Sequence, residues 1–87
     1  MKLLKLPHVL GLTAKSRTAH YADIKAGLMT PPVKLSMHSV AWPENEITAI
    51  NAALVGGKPP EEIRQLVSRM VADRTQFENP VKQGGAK

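Results

Sequence analysis

The chain contains no cysteine, which excludes disulfides, thiolate nucleophiles and cysteine-based zinc sites and fits a reducing compartment. Aromatic side chains are nearly absent as well. Tyr21, Trp42 and Phe77 are the whole set, too few to stack successive bases of a single strand. No apolar run approaches the roughly 18 residues of a membrane-spanning helix. The opening Met1-Lys2-Leu3-Leu4 is broken by Lys5, Pro7, His8 and Lys15 before it can supply the apolar stretch of about 7–15 residues that a secretory leader needs. The expectation is a cytoplasmic protein with no leader and no membrane partner. His8, His20 and His38 are 12 and 18 positions apart, a spacing that matches no metal-ligand pattern, so neither a metal nor a cofactor is expected. The chain also lacks a phosphate-cradling glycine loop and a nucleophile beside a base. Its paired carboxylates, Glu44/Glu46 and Glu61/Glu62, suit the first turns of helices. No enzyme activity and no catalytic residue are expected.

What is present is a small chain with an uneven charge. Its 87 residues suit one domain with a modest core, for which association with a partner or a second copy is a reasonable expectation. The net charge of +5 falls entirely in the first half. Residues 1–42 hold Lys2, Lys5, Lys15, Arg17, Lys25 and Lys34 against Asp23 alone, whereas residues 43–87 carry six basic and six acidic side chains. A basic half gains by releasing counterions from a polyanion; a neutral half suits packing.

Helix and turn signals order the rest. Pro7 suits a helix start, and with Leu6, Val9, Leu10 and Leu12 it predicts a short helix over 7–13. Ser16 offers a capping hydroxyl for a second helix from Arg17 to about Lys25, which Gly27 can close. Two short helices joined by a tight turn describe a helix-turn-helix. Pro31-Pro32 enforce extended chain. Val33-Lys34-Leu35 then alternates as a half-buried strand does, Ser36–Ser39 make a turn, and Val40–Trp42 return as a second strand, a hairpin that needs helices to pack on. Pro43 opens a third helix with Ile47, Ile50 and Leu54 on its apolar stripe, ended by Gly56-Gly57. After Lys58-Pro59-Pro60, a fourth helix begins at Glu61-Glu62 with Ile63, Leu66, Val67 and Met70 as its stripe. That stripe suits either the chain's own core or a second protomer. Trp42, between strand and helix start, is read as core.

The segment Leu12-Thr13-Ala14-Lys15-Ser16-Arg17-Thr18-Ala19-His20-Tyr21-Ala22-Asp23-Ile24-Lys25-Ala26-Gly27 resembles the AlpA-type phage and prophage regulators, which are similar to excisionases and to MerR-like winged helix-turn-helix domains. The family pattern runs approximately T-G-x-S-R-[ST]-T-x-Y-R-x-I-K-x-G. Thr13, Ser16, Arg17, Thr18, Tyr21, Ile24, Lys25 and Gly27 match it without a gap. Pro32–Leu35, Ser39–Trp42 and Glu44-x-Glu46-Ile47 match the wing and the start of the third helix, so the resemblance covers residues 4–47. The chain departs from the pattern at Ala14, where a glycine is usual, at Ala22, where Arg is common, at His20 and Asp23, where apolar residues are usual, and at His38, often basic at the wing tip.

The resemblance implies that the second helix reads the major groove and that the wing touches backbone or minor groove. Helical spacing independently places His20 and Ile24 on one side of that helix, with Asp23 at its edge, and Thr18, Ala22 and Lys25 opposite. Tyr21 lies on the flank and Arg17 in the exposed first turn. Arg can fork onto guanine, while Lys, Tyr and Ser can reach phosphates. The expected DNA-binding residues are Ser16, Arg17, Thr18, Tyr21, Ala22, Lys25, Lys34 and His38. Tyr21 remains open between packing on the turn and reaching a phosphate.

The expected architecture is mainly α with a small β-hairpin, a winged helix-turn-helix followed by two further helices. Residues 1–55 form the DNA-binding domain, 56–60 a Gly/Pro linker, 61–76 a C-terminal helix for packing or dimerisation, and 77–87 a flexible tail. The expected function is sequence-specific duplex-DNA binding of phage or prophage type, in transcription control or as an excisionase-like architectural factor. The alternative is an adaptor with little DNA affinity whose fourth helix docks a recombinase or another partner. Expected partners are duplex DNA, a second copy of the chain, and a recombinase or the transcription machinery.

Overall fold

The computed structural model describes residues 1–78. Its elements are β1 (Leu3–Leu4), α1 (Leu6–Thr13), α2 (Arg17–Ala26), β2 (Val33–Ser36), β3 (Ser39–Pro43), α3 (Glu44–Val55) and α4 (Pro60–Glu78). The chain is mainly helical, with a small antiparallel sheet, and the order of elements is that of a winged helix-turn-helix with two helices appended.

The local signals act where the sequence places them. Pro7 sits in the first turn of α1, which begins one residue earlier at Leu6. The Ser16 hydroxyl oxygen accepts the Ala19 N–H at 3.1 Å and caps α2. Gly27 takes the left-handed conformation, φ 80°, and its N–H returns to Asp23 and Ile24 carbonyls, satisfying groups that a helix end leaves unpaired. At the end of α1 the left-handed position falls on Ala14, φ 59° and ψ 30°, with its N–H on the Leu10 carbonyl. The turn therefore keeps the geometry for which the family uses glycine, at the steric cost of a Cβ.

The hairpin predicted for residues 33–42 is part of a three-stranded sheet, ordered β1-β3-β2. Leu3 and Leu4 pair antiparallel with Pro43 and Trp42, and the Glu44 N–H donates to the Lys2 carbonyl at 2.8 Å. That bond ties the start of α3 to the N-terminal segment. Pro43 belongs to the end of β3 and to the cap position of α3, whose first helical residue is Glu44. A pair of leucines shows no alternation, and its partner strand lies about forty residues away, so β1 has no local signature.

One core joins every helix to the sheet. Leu4, Leu6, Val9, Met29, Trp42, Ile47, Ile50, Ile63 and Val67 are buried in it, with Ile24, Leu66 and Met70 packed at its margin. The fourth helix thus lays its apolar stripe on its own domain. Leu54, read as the third member of the α3 stripe, is exposed instead. Helix α4 begins at Pro60, the last residue of the expected linker, and extends to Glu78, past the expected end at 76. The remainder of the expected tail lies outside the described residues.

Candidate nucleic-acid interface

Helix α2 is held from three directions. Beneath it the His20 imidazole is fully buried and meets the Trp42 ring edge-on, with centroids 4.8 Å apart at 74°. Trp42 is itself fixed by its indole N–H, which donates to the Thr30 carbonyl at 2.9 Å. Lys15, in the turn before α2, reaches along the helix to form an ion pair with Asp23 in its second half. At the C-terminal end the Arg64 Nε–H of α4 donates to the Ala26 carbonyl at 2.9 Å. These three contacts fix α2 in its own domain.

The outward side of α2 carries the side chains that helical spacing placed there. At about 100° per residue, Arg17, Tyr21, Lys25, Thr18 and Ala22 fall within an arc of roughly 140°, and all five are exposed. Arg17 and Lys25 enter no ion pair among the described residues. Lys25 also stands in the last turn, where a cation suits the negative end of the helix dipole. Tyr21 is packed on its inner side. Its ring packs edge-on against His20 at 5.4 Å and Trp42 at 6.5 Å, and it remains 41% exposed. Ser16 caps α2, as its position before Arg17 implied. Its oxygen is occupied in capping, which leaves only the hydroxyl proton for an outside acceptor.

Lys34 and His38 lie apart from this face, on the wing. Lys34 is exposed on β2 opposite Val40, and His38 is exposed in the turn between the strands. The structure therefore forms two surfaces, the α2 face and the wing, joined through the His20–Trp42 contact.

Two polar arrangements escaped the sequence. Asp23 stands where the family has an apolar residue, and its partner Lys15 precedes it by eight positions across a turn, so neither helical nor strand spacing pairs them. Glu46, expected only as a first-turn carboxylate, is 2% exposed and is gripped by Arg74 of α4. The Arg74 Nε–H and Nη2–H donate to its two oxygens at 2.9 and 2.7 Å, and Nη2 also donates to the Pro31 carbonyl at 2.8 Å. Such a two-pronged fork needs both helices in place. The His20 nitrogens are a third surprise. Neither has a hydrogen-bond partner, and burial, only partly opposed by Asp23 and reinforced by Lys15, holds the imidazole pKa below its ordinary value. Among the described residues no three His, Asp or Glu side chains gather around a point that could hold a metal, and no helix is long and apolar enough to cross a membrane.

A three-residue turn between two short helices, a capped and outward-facing second helix and a β-hairpin beside it define the winged helix-turn-helix class. The chain belongs to the phage family described as prophage CP4-57 regulatory protein (AlpA), which matches residues 2–49. It is similar to a protein of Enterobacteria phage P4 described as uncharacterized protein ORF88, with 35% identity over 57 residues, 66% of this chain and 65% of the relative. The chain thus spans about two thirds of the length of the curated relative it matches. No solved structure matches it.

Proposed function

We propose that this chain binds duplex DNA sequence-specifically and regulates a phage or prophage through that contact, in transcription control or as an excisionase-like architectural factor. The observation that carries the reading is the outward face of α2. Arg17, Thr18, Tyr21, Ala22 and Lys25 share one exposed arc free of carboxylates, on a helix braced by His20 beneath and by Lys15 and Arg64, which grip Asp23 and Ala26 in its second half. Small side chains at 18 and 22 permit close approach to a groove, and the two cations flank them along the helix. In this reading Arg17 contacts a base edge, Lys25 and Lys34 contact phosphates, and Ser16, Thr18, Tyr21 and His38 complete the interface.

The alternative is an adaptor that docks a recombinase or another partner through α4 with little DNA affinity, and it rests on Ala22 and His38 standing where the family tends to be basic. The burial of Ile63 and Val67 in the chain's own core supports the DNA-binding reading over it.

Selection of binding sequences from a random duplex pool, followed by anisotropy titration at several salt concentrations, tests the proposal. One sequence family should emerge, and log K should fall linearly with log salt by about 0.9 for each phosphate contacted. Absence of binding to any duplex at low salt overturns it.

A further inference from the structure

The end of the wing is apolar, which a hairpin resting only on phosphates does not require. Met37 is 80% exposed at the turn, and Leu35 is 46% exposed beside it. Their presentation is built into the strand register. Lys34 pairs with Val40, but Ser36 pairs with Ser39, so Leu35 is an extra residue, a β-bulge. Bulges bend a hairpin and re-aim its side chains. Ser36 and Ser39 then leave Met37 and His38 as a two-residue tip, and neither takes a positive φ. From Ile24 to Pro43 the chain contains no carboxylate, while Lys25 and Lys34 fall within that stretch. The apolar tip therefore stands in a segment whose charges are all positive, complementary to a polyanion.

We infer that Met37, backed by Leu35, is a wedge that enters the minor groove of the bound duplex, partly unstacks one base step and bends the DNA. The inference rests on the DNA-binding reading above and adds to it what the wing does. Apolar side chains pressed between base steps kink a duplex away from the protein's wedge and let it wrap more surface. An unbranched, polarizable methionine adapts well to such a gap. The reach is suitable. The His38 end of the wing is four strand positions from Trp42, the seat of α2, or about 13 Å at 3.3 Å per residue. Half the roughly 34 Å turn that separates successive major grooves is about 17 Å, a span that the strand covers together with the Met37 side chain extending beyond it, so a helix in one groove and a tip in the neighbouring minor groove are compatible. Lys34 beside the wedge anchors a phosphate. The wedge prefers a pyrimidine–purine step, which unstacks at least cost.

The test uses the full chain and a duplex carrying a sequence recovered by selection from a random pool, with donor and acceptor dyes at its two ends. Saturation with the parent protein should shorten the end-to-end distance. Met37→Ser, at a position that contributes nothing to the core, should still saturate the duplex but leave it nearly straight, and Met37→Leu should restore the bend. Lys34→Ala should weaken binding yet reach the parent's bend at saturation. A parent complex that binds without shortening the distance, or a Met37→Ser complex as bent as the parent, overturns the wedge while leaving DNA binding intact. Failure of the parent to bind any duplex overturns the DNA-binding reading and the wedge with it.

Discussion

His20 and Trp42 meet edge-to-face, centroids 4.8 Å apart, and this contact seats α2 on the central strand of the sheet. It is an aromatic pairing made by a titratable ring with no partner for either nitrogen, in a slot where the resemblance expects an apolar side chain.

Stability should therefore depend on pH through His20. Burial lowers its folded-state pKa below the ordinary 6.5, with Asp23 opposing and Lys15 assisting. A lowered histidine pKa means the fold prefers the neutral ring. The contribution is present in full above about pH 6.5. Below that the unfolded chain takes up the proton first, and stability falls until the folded-state pKa is reached. Urea midpoints at pH 7.5 and pH 5 should differ for the parent, and the difference should shrink in His20→Leu. At neutral pH the same variant should be more stable by about 1 kcal/mol, since a buried imidazole must leave at least one polar atom unpaired. An unchanged pH response in the variant would assign it to another group.

Ala14→Gly should stabilise the protein. Ala14 holds φ 59° with its N–H on the Leu10 carbonyl, a conformation costing a side-chain-bearing residue about 1–2 kcal/mol that glycine escapes. Glycine's greater freedom in the unfolded chain returns part of that gain, so a net increase of about 0.5–1 kcal/mol is expected. Thermal unfolding of the two proteins side by side checks it, and a lower melting temperature for the variant contradicts the account.

Arg74→Met should be strongly destabilising, by about 3 kcal/mol, because it leaves Glu46 buried and unpaired. The Glu46 side chain is 3% and the Arg74 side chain 22% exposed, so some water reaches the arginine. Adding Glu46→Gln to Arg74→Met should recover a good part of the loss. A double-mutant cycle by urea denaturation measures it, and a cost below 1 kcal/mol for Arg74→Met would mean the fork is dispensable.

On DNA, Arg17→Ala and Lys25→Ala should behave differently. Loss of a base-reading Arg17 should cost about 1–3 kcal/mol on the selected sequence and relax its specificity, whereas loss of Lys25 should weaken all sequences alike and lower the salt slope by about one. Titrations of selected and scrambled duplexes distinguish the two patterns. If Arg17→Ala weakens both duplexes equally, Arg17 is a phosphate contact.

Much of this was open to reading in one dimension because its causes are local. Ser16 caps, Gly27 closes, the proline pair interrupts, and Arg17, Tyr21 and Lys25 line up simply because helical residues recur at fixed angles. The α2 face and the wing could therefore be proposed from spacing, and the matching motif named the family. Features that join distant positions had no such signal. The Lys15–Asp23 pair spans a turn, the β1 strand is only two residues long, and the Arg74 fork links residues 28 positions apart. Asp23 and Glu46 each looked like an ordinary solvated carboxylate until their partners were placed.

The sequence alone determined where helices begin and end and which residues α2 turns outward, because capping, chain stiffness and helical period act over a few residues. Tertiary structure alone decided where the apolar stripe of α4 goes. Its periodicity suits its own core and a second protomer equally well, and it is the burial of Ile63 and Val67 with Ile47 and Ile50 in one core, with Arg64 and Arg74 fastening the helix to Ala26 and Glu46, that seats it on its own domain. The same packing decided the state of His20. A ring at that position is ambiguous in the sequence, and it becomes a buried imidazole because β3 brings Trp42 beneath it.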